Sequence, residues 1–361
     1  MNGGPYGRGK APERRCLKVQ AWPEDDRRLW EAACRPSDVL DPEPGGLRAN
    51  HAIMSNRKAE KGYGRWLTFL QIAEPETLAE PPAARITPER VRRYVDGLLG
   101  LGNNTATVIA RLRELGEVAR VIGPDKSWRF INVLEGRIRA RHRPARDKSN
   151  LRLSDELLSL GHTLIEKAAA CEGRKAALLH RDGLMIALLA LVPLRRRNFA
   201  SLRLGRSVIA INDVWLITLD ESETKTRAPL EILWPDELIA ALRTYLGVHR
   251  PLLSAIVRRG VKPAADALWV SSRGSPLTEM TIYNTICMHT ENAFGRAVNP
   301  HLFRDAAATT LAIVDPAHVR VAAPLLGHRT FTTTERHYQQ AKAFDAHRTY
   351  IDALYGKAKQ A

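Results

Sequence analysis

Helical periodicity runs along most of this chain and gives way once to strict alternation, and this pattern limits the possible folds more than any other feature. Apolar residues recur at helical spacing in several stretches, as in residues 104–121. The alternating run covers residues 208–219 and contains Asn212-Asp213, which predicts a β-hairpin. Residues 229–234 are predicted as a third strand. We therefore expect a mainly α-helical protein with a small antiparallel β-sheet.

Breaks in the pattern divide the chain into four segments. Residues 1–48 are rich in Pro, Gly and charge, with one helical candidate near residues 26–33, and are predicted to be a partly flexible arm. Residues 49–142 carry four amphipathic helices and are predicted to be a small helical domain. Residues 143–152 are predicted to be a basic linker, and residues 153–361 a second domain of mixed structure.

Local sequence marks two boundaries inside the helical domain. Thr87-Pro88 predicts a helix start, because a threonine hydroxyl caps the first turn and proline suits the first helical position. Gly123-Pro124 ends the helix of residues 104–121. A chain of 361 residues can bury a core without disulfides or metals.

The charge balance indicates a polyanionic partner. The chain has 55 Lys+Arg against 39 Asp+Glu, a formal net charge of +16 and a pI of about 10.0. Such an excess most often binds nucleic acid. A membrane surface is disfavoured, because there is no run of 18 apolar residues and no signal-peptide pattern. The expected location is therefore the cytoplasm.

Basic residues cluster at two places in the first half of the chain. One cluster includes Arg57 and Lys58 at the start of a predicted helix. The other follows the last helix of that domain. Such a run is either a solvated linker or a segment that lies against DNA phosphates. The candidates for DNA contact are Arg57, Lys58, Arg141, Arg143, Arg146 and Lys148, with Arg196 in the second domain.

The four cysteines give no sign of a metal site. They lie far apart in the sequence, and no pair has the Cys-x-x-Cys spacing of zinc sites. Scattered thiols of this kind fit a reducing compartment. Accordingly, no cofactor is expected. The cysteines are Cys16, Cys34, Cys171 and Cys287.

Five short segments of the second domain carry residue types suited to phosphate chemistry. Arginine forks bind phosphate oxygens in bidentate fashion, and spacing i,i+3 puts His301 and Arg304 on one helix face. A tyrosine becomes a nucleophile only where cations stabilise its phenolate. Taken singly, each segment also fits an ordinary role, such as a helix cap, a solvated charge or a core residue. The segments are Arg195-Arg196-Arg197, Lys225, His301-x-x-Arg304, Gly327-His328 and Tyr338.

In order and spacing, these segments resemble the tyrosine recombinase (phage integrase) family of site-specific DNA recombinases. The resemblance covers roughly residues 50–350. It implies a two-domain clamp: a helical core-binding domain, then a mixed α/β catalytic domain with a C-terminal helix. It also implies double-stranded DNA as partner and a homotetramer on that DNA, with sister recombinases or accessory proteins as further partners. A helix at residues 343–354 would pack into a neighbouring protomer.

The resemblance further implies a role for each motif residue. Arg195 and Arg304 would hold the non-bridging oxygens of the scissile phosphate, and His328 would hydrogen-bond to it. His301 would assist proton transfer or position the phosphate, and Lys225 would protonate the leaving 5′-oxygen. Tyr338 would attack and form a 3′-phosphotyrosyl link, without metal or ATP.

The motifs depart from the family pattern at three points. Asn198 stands where many members have an acidic residue, and Asp305 where many have histidine. The interval from His328 to Tyr338 is one residue longer than in many members, which leaves Tyr350 as a weaker candidate nucleophile. Arg195 is chosen over Arg196 and Arg197 because Leu194 aligns best with the leucine that precedes the arginine of the family.

Two other functions fit the same motifs. A type IB topoisomerase would use similar chemistry to relax supercoils on any DNA. A non-catalytic DNA-binding regulator would keep the fold and lose the chemistry. All six expected catalytic positions are filled, which favours an enzyme, and the small helical domain with its basic linker favours a recombinase.

Overall fold

The computed structural model describes residues 11–36, 45–141, 150–224, 228–256, 260 and 263–314. The chain divides into two compact units, Met1–Ala145 and Arg146–Ala361. The division between the two units falls inside the segment predicted to be a basic linker.

The first unit is helical throughout its described part. The helix starts follow the capping chemistry of the sequence: the Thr87 hydroxyl accepts a hydrogen bond from the Arg90 amide at 3.2 Å, and the Asn104 side chain caps the next helix. Trp66 and Leu112, from two of these helices, are fully buried in the core. The helices are α1 Glu24–Cys34, α2 Ile53–Ala73, α3 Pro88–Gly100, α4 Thr105–Ile122 and α5 Arg129–Arg141, with 3₁₀ turns at Pro12–Arg14, Val19–Ala21 and Pro75–Ala79.

The described part of the predicted arm, which includes the helical candidate near residues 26–33, is packed against the helical unit. Trp22 and Trp30 lie in the same hydrophobic cluster as Trp66 and Leu112, with 4% and 2% of their surface exposed. Indole rings bury a large apolar area, so two of them anchor a segment that composition alone marks as disordered. Residues 11–36 are therefore part of the helical unit.

A buried ion pair fixes α1 to the rest of this unit. Arg85 donates to both carboxylate oxygens of Asp26 at 2.9 and 2.8 Å, and the Tyr63 hydroxyl donates to the same carboxylate at 2.6 Å. Arg85 also donates to the backbone oxygens of Glu80 and Leu78. Burial and the neighbouring Asp26 raise the pKa of Tyr63. The polar groups of the network have hydrogen-bonding partners, and Asp26 is the side-chain partner of both Arg85 and Tyr63.

Replacing Asp26 by alanine is expected to lower the free energy of unfolding of this unit by about 3–5 kcal/mol, because Arg85 would keep a buried charge without its partner. Urea unfolding monitored by tryptophan fluorescence measures the change. Asp25→Ala is the matched control. Asp25 pairs with Arg28 at the surface, where both side chains are more than half exposed, so its loss should cost less than about 1 kcal/mol. Equal losses in the two variants would contradict the account of the network.

The second unit is built around a pair of helices, α6 Ser154–Ala169 and α7 Gly173–Leu191. They cross at two glycines. A methyl group on Gly161 would lie 2.7 Å from the Ala187 amide nitrogen, and one on Gly183 would lie 2.6 Å from the Gly161 oxygen. This close approach places α7 at the centre of the unit, and Leu184 to Leu189 are fully buried. The end of α7 is therefore held rigidly.

A three-stranded antiparallel sheet follows, formed by β1 Val208–Ile211, β2 Val214–Leu219 and β3 Leu230–Leu233 in that order. The turn between β1 and β2 is the predicted Asn212-Asp213 pair, with φ of 49° and 68°. Two successive positive φ values suit the tight turn of a hairpin, and Asn and Asp tolerate them better than most residues.

The other regular elements of the described unit are helical. Residues 235–248 form a 3₁₀ turn, a short α-helix and the first four residues of a π-helical turn, and not one continuous helix. The remaining elements are α8 Arg196–Ala200, a 3₁₀ turn Asp236–Leu238, α9 Ile239–Thr244, the π-turn Tyr245–His249, α10 Arg250–Ser254, α11 Glu279–Phe294 and α12 Pro300–Val314.

The predicted fold class, mainly helical with a small antiparallel sheet, is thereby confirmed. The clamp arrangement of the two domains stays a prediction, and the helix expected at residues 343–354 lies outside the described residues. No helix in the described ranges combines the length and apolarity needed to cross a bilayer.

Candidate active site

The first predicted arginine lies where the buried helix α7 ends. Pro193 follows the last turn of α7, and Leu194 remains buried, with 4% of its surface exposed. The chain is extended at Arg195, which immediately precedes α8. Because Leu194 is held in the core, the backbone of Arg195 is fixed while its side chain stays partly exposed. Burial lowers the pKa of the Arg195 guanidinium below its usual value.

The second predicted arginine comes from α12. The Asn299 side chain accepts a hydrogen bond from the His301 amide at 3.0 Å, which caps the first turn of that helix. Arg304 is buried, with 8% of its surface exposed, and donates to the Pro193 backbone oxygen at 2.5 Å. This hydrogen bond joins α12 to the segment that carries Arg195.

The two guanidinium groups lie close enough to repel each other. Burial, followed by the positive charge of Arg195, lowers the pKa of Arg304 to about 10, while the nearby Asp305 carboxylate opposes the change. Arg304 therefore keeps its charge at neutral pH, although that charge is partly desolvated and faces a second cation. An anion bound between the two side chains would offset both the desolvation of Arg304 and its repulsion from Arg195. A phosphodiester carries the required charge and oxygen geometry.

The neighbouring arginines are placed differently. Arg196 lies 3.4 Å (Nε–Oε2) from Glu279 on α11, and its guanidinium stacks over the Tyr283 ring at 5.5 Å. Arg197 is exposed. Among the three arginines that the sequence offered, Arg195 is the one that acts on Arg304 electrostatically. Asn198, at the position where many family members are acidic, is buried.

The other predicted catalytic residues are only partly covered by the structure. His301 is exposed on the first turn of α12, one turn before Arg304. Lys225, His328 and Tyr338 lie outside the described residues. The two ends of the Lys225 segment are joined, since the Thr224 hydroxyl donates to the Ala228 oxygen at 2.7 Å and accepts from the Ala228 amide at 3.1 Å.

The structure describes only some of the residues predicted to contact DNA. Arg57 and Lys58 are exposed near the start of α2, and Arg141 is exposed at the end of α5. Arg143, Arg146 and Lys148 lie outside the described residues. Within the part of the chain that the structure describes, no three His, Cys, Asp or Glu side chains are grouped as a metal site would need.

The sequence interpretation missed the exposed face of α11. Thr281, Asn284 and Met288 are exposed at successive turns of this helix, next to Arg196 and Tyr283. The signal was the helical spacing of Thr281 and Asn284, with Met288 one turn further, opposite buried Ile282 and Ile286. Hydrogen-bonding side chains on an exposed helix face can reach base edges in a major groove.

The decisive comparison is with family sequence patterns. Residues 153–343, more than half of the chain, match the phage integrase family. The protein belongs to the phage integrase family. The matched range contains all six predicted catalytic residues, namely Arg195, Lys225, His301, Arg304, His328 and Tyr338.

Two relatives found by sequence comparison are named tyrosine recombinase XerD. The one from Corynebacterium glutamicum is 35% identical over 96 residues, which cover 26% of this chain and 29% of the relative. The one from Chlorobaculum tepidum is 29% identical over 116 residues, which cover 31% of this chain and 36% of the relative. The matched segments thus span about a third of each relative.

Solved structures resemble this integrase-family chain over nearly its whole length. The XerH site-specific recombinase, in a post-cleavage complex with its palindromic difH substrate, matches with a TM-score of 0.58 at 18% identity, over 91% of this chain and 94% of that one. The Tn1549 transposon integrase, in complex with transposon right-end DNA, matches with a TM-score of 0.57 at 14% identity, over 94% and 100%. At these identities the likeness establishes the fold.

Inorganic phosphate is expected to stabilise the integrase-family unit through the arginine pair. At a concentration of about ten times its dissociation constant, phosphate should add roughly 1.4 kcal/mol, which raises the unfolding midpoint by about 2–4 °C. Differential scanning fluorimetry against chloride at equal ionic strength measures the shift. Arg195→Ala should abolish it and Arg197→Ala should not. The shift should also fade as the pH rises through about 10, where Arg304 loses its proton. A shift that survives Arg195→Ala would contradict this assignment.

Proposed function

We propose that this protein is a site-specific DNA recombinase that cleaves and rejoins duplex DNA through a 3′-phosphotyrosyl link to Tyr338. The observation that carries the proposal is the Arg195–Arg304 pair, which lies inside the segment matched to the phage integrase family. The pair combines two guanidinium groups, one buried and one half-buried. Such a site favours a bound phosphodiester over an empty state.

Attack on a phosphodiester places additional negative charge on the non-bridging oxygens of the phosphorus. Donors fixed before the reaction stabilise that charge without reorganising, and each is typically worth about 10²–10³ in rate. Arg304 is fixed by its hydrogen bond to Pro193, and Arg195 by the buried Leu194. In this proposal His328 adds a third donor to the same oxygens.

The covalent step balances without an external cofactor. The Tyr338 oxygen forms a bond to phosphorus while the bond from phosphorus to the 5′-oxygen breaks. The tyrosine proton leaves with help from His301, and Lys225 supplies a proton to the departing 5′-oxygen. The reverse reaction with the 5′-hydroxyl of another strand restores the phosphodiester and frees the tyrosine. Because the phosphotyrosine preserves the bond energy, no nucleotide is consumed.

DNA recognition is proposed to involve both units. In the second unit, α11 would enter the major groove with Thr281, Asn284 and Met288, where the methionine suits contact with a thymine methyl group. Arg196, stacked on Tyr283, would contact a phosphate beside that groove. In the first unit, Arg57, Lys58 and Arg141 would contact the DNA backbone, together with the linker residues Arg143, Arg146 and Lys148. Four copies would assemble on the paired DNA sites.

Sequencing of trapped adducts tests the function itself. The full-length protein is incubated with sheared DNA from its source, denatured with detergent, and the covalently attached fragments are recovered and sequenced. A site-specific recombinase should enrich one or a few sites with inverted half-sites. Adducts spread over the whole DNA, together with relaxation of any supercoiled plasmid, would favour a type IB topoisomerase instead. A complete lack of adducts with intact binding would favour a regulator.

A further inference from the structure

A small cavity lies in the first unit between the second half of α2 and the end of α3. None of its lining residues is among those assigned to catalysis or DNA contact. Its volume is about 140 Å³, and its apolar walls are Phe69, Ile72, Ala73, Leu98 and Leu101. Ile72 keeps 50% of its surface exposed, so the cavity opens to solvent. An apolar protein cavity of about 150 Å³ holds one benzene ring, so this one suits a single six-membered ring.

A buried cation also lines this cavity. Arg65 from α2 has 6% of its surface exposed. Its Nη1 donates to the Arg15 backbone oxygen at 3.3 Å, and within the described ranges Arg65 forms no ion pair. The buried Arg85 of the same unit, in contrast, is paired with Asp26. Burial lowers the pKa of the Arg65 guanidinium below its usual value, because the charge has lost much of its hydration. Arg65 therefore holds a desolvated charge that no carboxylate of the described chain neutralises.

Tyr94 from α3 adds a hydroxyl to the same cavity. It has 1% of its surface exposed, and its hydroxyl oxygen has no hydrogen-bonding partner among the described residues. The ring is held in place by Trp66 and Phe69, each with a centroid 5.3 Å from that of Tyr94. Burial raises the pKa of Tyr94, so the hydroxyl keeps its proton and can donate. Arg65 and Tyr94 are near enough to influence each other's pKa.

The combination of a cation, a hydroxyl donor and apolar walls selects the class of ligand. A carboxylate would accept hydrogen bonds from Arg65 and Tyr94, while an attached ring would cover the walls. A DNA phosphate or a small inorganic anion would satisfy the cation and leave the walls uncovered. A neutral hydrocarbon would do the reverse. Glu13, exposed at the edge of the cavity, disfavours a second carboxylate on the far side of the ring.

We propose that this cavity binds a small aromatic monocarboxylate of the size of benzoate. Its carboxylate would lie toward Arg65 and Tyr94, and its ring between α2 and α3. The site belongs to the helical unit and does not depend on the chemistry at Tyr338. Because α2, α3 and the turn Pro12–Arg14 all contribute lining residues, an occupied cavity would stabilise the packing of these three elements.

Isothermal titration calorimetry of the full-length protein with benzoate tests the proposal. The wild type should bind benzoate with a dissociation constant of roughly 1 mM or tighter, as a ligand of about nine non-hydrogen atoms permits. Benzyl alcohol keeps the ring without the charge, and acetate keeps the charge without the ring. Each should bind at least about tenfold more weakly, because each satisfies only half of the site. Terephthalate, with its second carboxylate facing Glu13, should also bind more weakly.

Three substitutions locate the site. Arg65→Met keeps a long side chain without the charge, and should weaken benzoate at least about tenfold while leaving benzyl alcohol unchanged. Tyr94→Phe removes only the hydroxyl, and should weaken benzoate a few-fold. Gly97→Leu should exclude both probes, because its Cβ would lie 3.7 Å from the nearest carbon of Phe69 and the rest of the side chain would fill the cavity. Leucine favours a helix more than glycine does, so this variant should fold.

Arg120→Met is the matched control, at an exposed position of α4, and should bind benzoate like the wild type. Circular dichroism confirms that each variant is folded. A wild type that does not bind benzoate, equal binding by Arg65→Met and the wild type, or equal affinity for benzoate and benzyl alcohol would each overturn the proposal. So would loss of benzoate binding in Arg195→Ala, which would place the site at the arginine pair of the second unit.

Discussion

Replacing Tyr338 by phenylalanine is expected to abolish covalent attachment to DNA while leaving duplex binding nearly unchanged. The substitution removes one oxygen and keeps the ring, so the DNA contacts of the protein should persist. Without that oxygen no phosphotyrosyl bond can form, and loss of a nucleophile typically reduces rate on the order of 10⁴-fold or more. A nicked suicide substrate, on which cleavage is trapped, measures adduct formation on a denaturing gel, and a gel-shift titration measures binding.

Tyr350→Phe is the matched control, because Tyr350 is the other tyrosine considered as nucleophile from the sequence. That variant should form adducts at nearly the wild-type level. Adducts that persist in Tyr338→Phe and vanish in Tyr350→Phe would transfer the chemistry to Tyr350. Adducts that persist in both would exclude the proposed mechanism.

Exchange of either paired arginine for lysine is expected to reduce cleavage by about 10²–10³ with little change in duplex affinity. Lysine keeps the charge but loses the planar fork that holds two phosphate oxygens at once. Arg304→Lys also loses the fixed hydrogen bond to Pro193, so its effect should be at least as large as that of Arg195→Lys. Single-turnover cleavage of the suicide substrate separates this loss from binding.

The matched control for the arginine pair is Arg197→Lys. Arg197 is exposed, two residues from Arg195, and should tolerate the change within a few-fold. Because Arg304 is buried, its replacement could unfold the protein. Thermal unfolding of each variant shows whether it is still folded. A full loss in Arg197→Lys with retained cleavage in Arg195→Lys would show that the catalytic arginine had been placed two residues too early.

Short-range features were predicted well from the sequence. The cap at Thr87, the Asn212-Asp213 turn and the helix face shared by His301 and Arg304 all depend on residues within about four positions of each other. Their chemistry is local, so the order of residues is sufficient to predict it. The positions of Arg195 and Arg304 on their elements could be predicted for the same reason.

Long-range features could not be predicted. The N-terminal segment was assigned as an arm because its composition is polar, yet Asp26 is paired with Arg85 and Trp30 is buried. Neither partner can be identified from the local sequence, since the pairing forms only when the helices assemble. The π-turn at Tyr245–His249 also involves a residue distant in the sequence. The Tyr245 hydroxyl donates to the Leu268 oxygen at 3.0 Å, at the point where the regular helix gives way to the π-turn.

Mass spectrometry of the peptide attached to DNA tests the central claim most directly. The wild-type protein is trapped on a suicide substrate and digested with trypsin, and the DNA-linked peptide is sequenced. The two candidate tyrosines fall on different tryptic peptides, residues 337–342 for Tyr338 and residues 349–357 for Tyr350. We predict a single peptide, His-Tyr-Gln-Gln-Ala-Lys, with the nucleotide on its tyrosine. A nucleotide on any other peptide, or cleavage with no linked peptide at all, would contradict the claim.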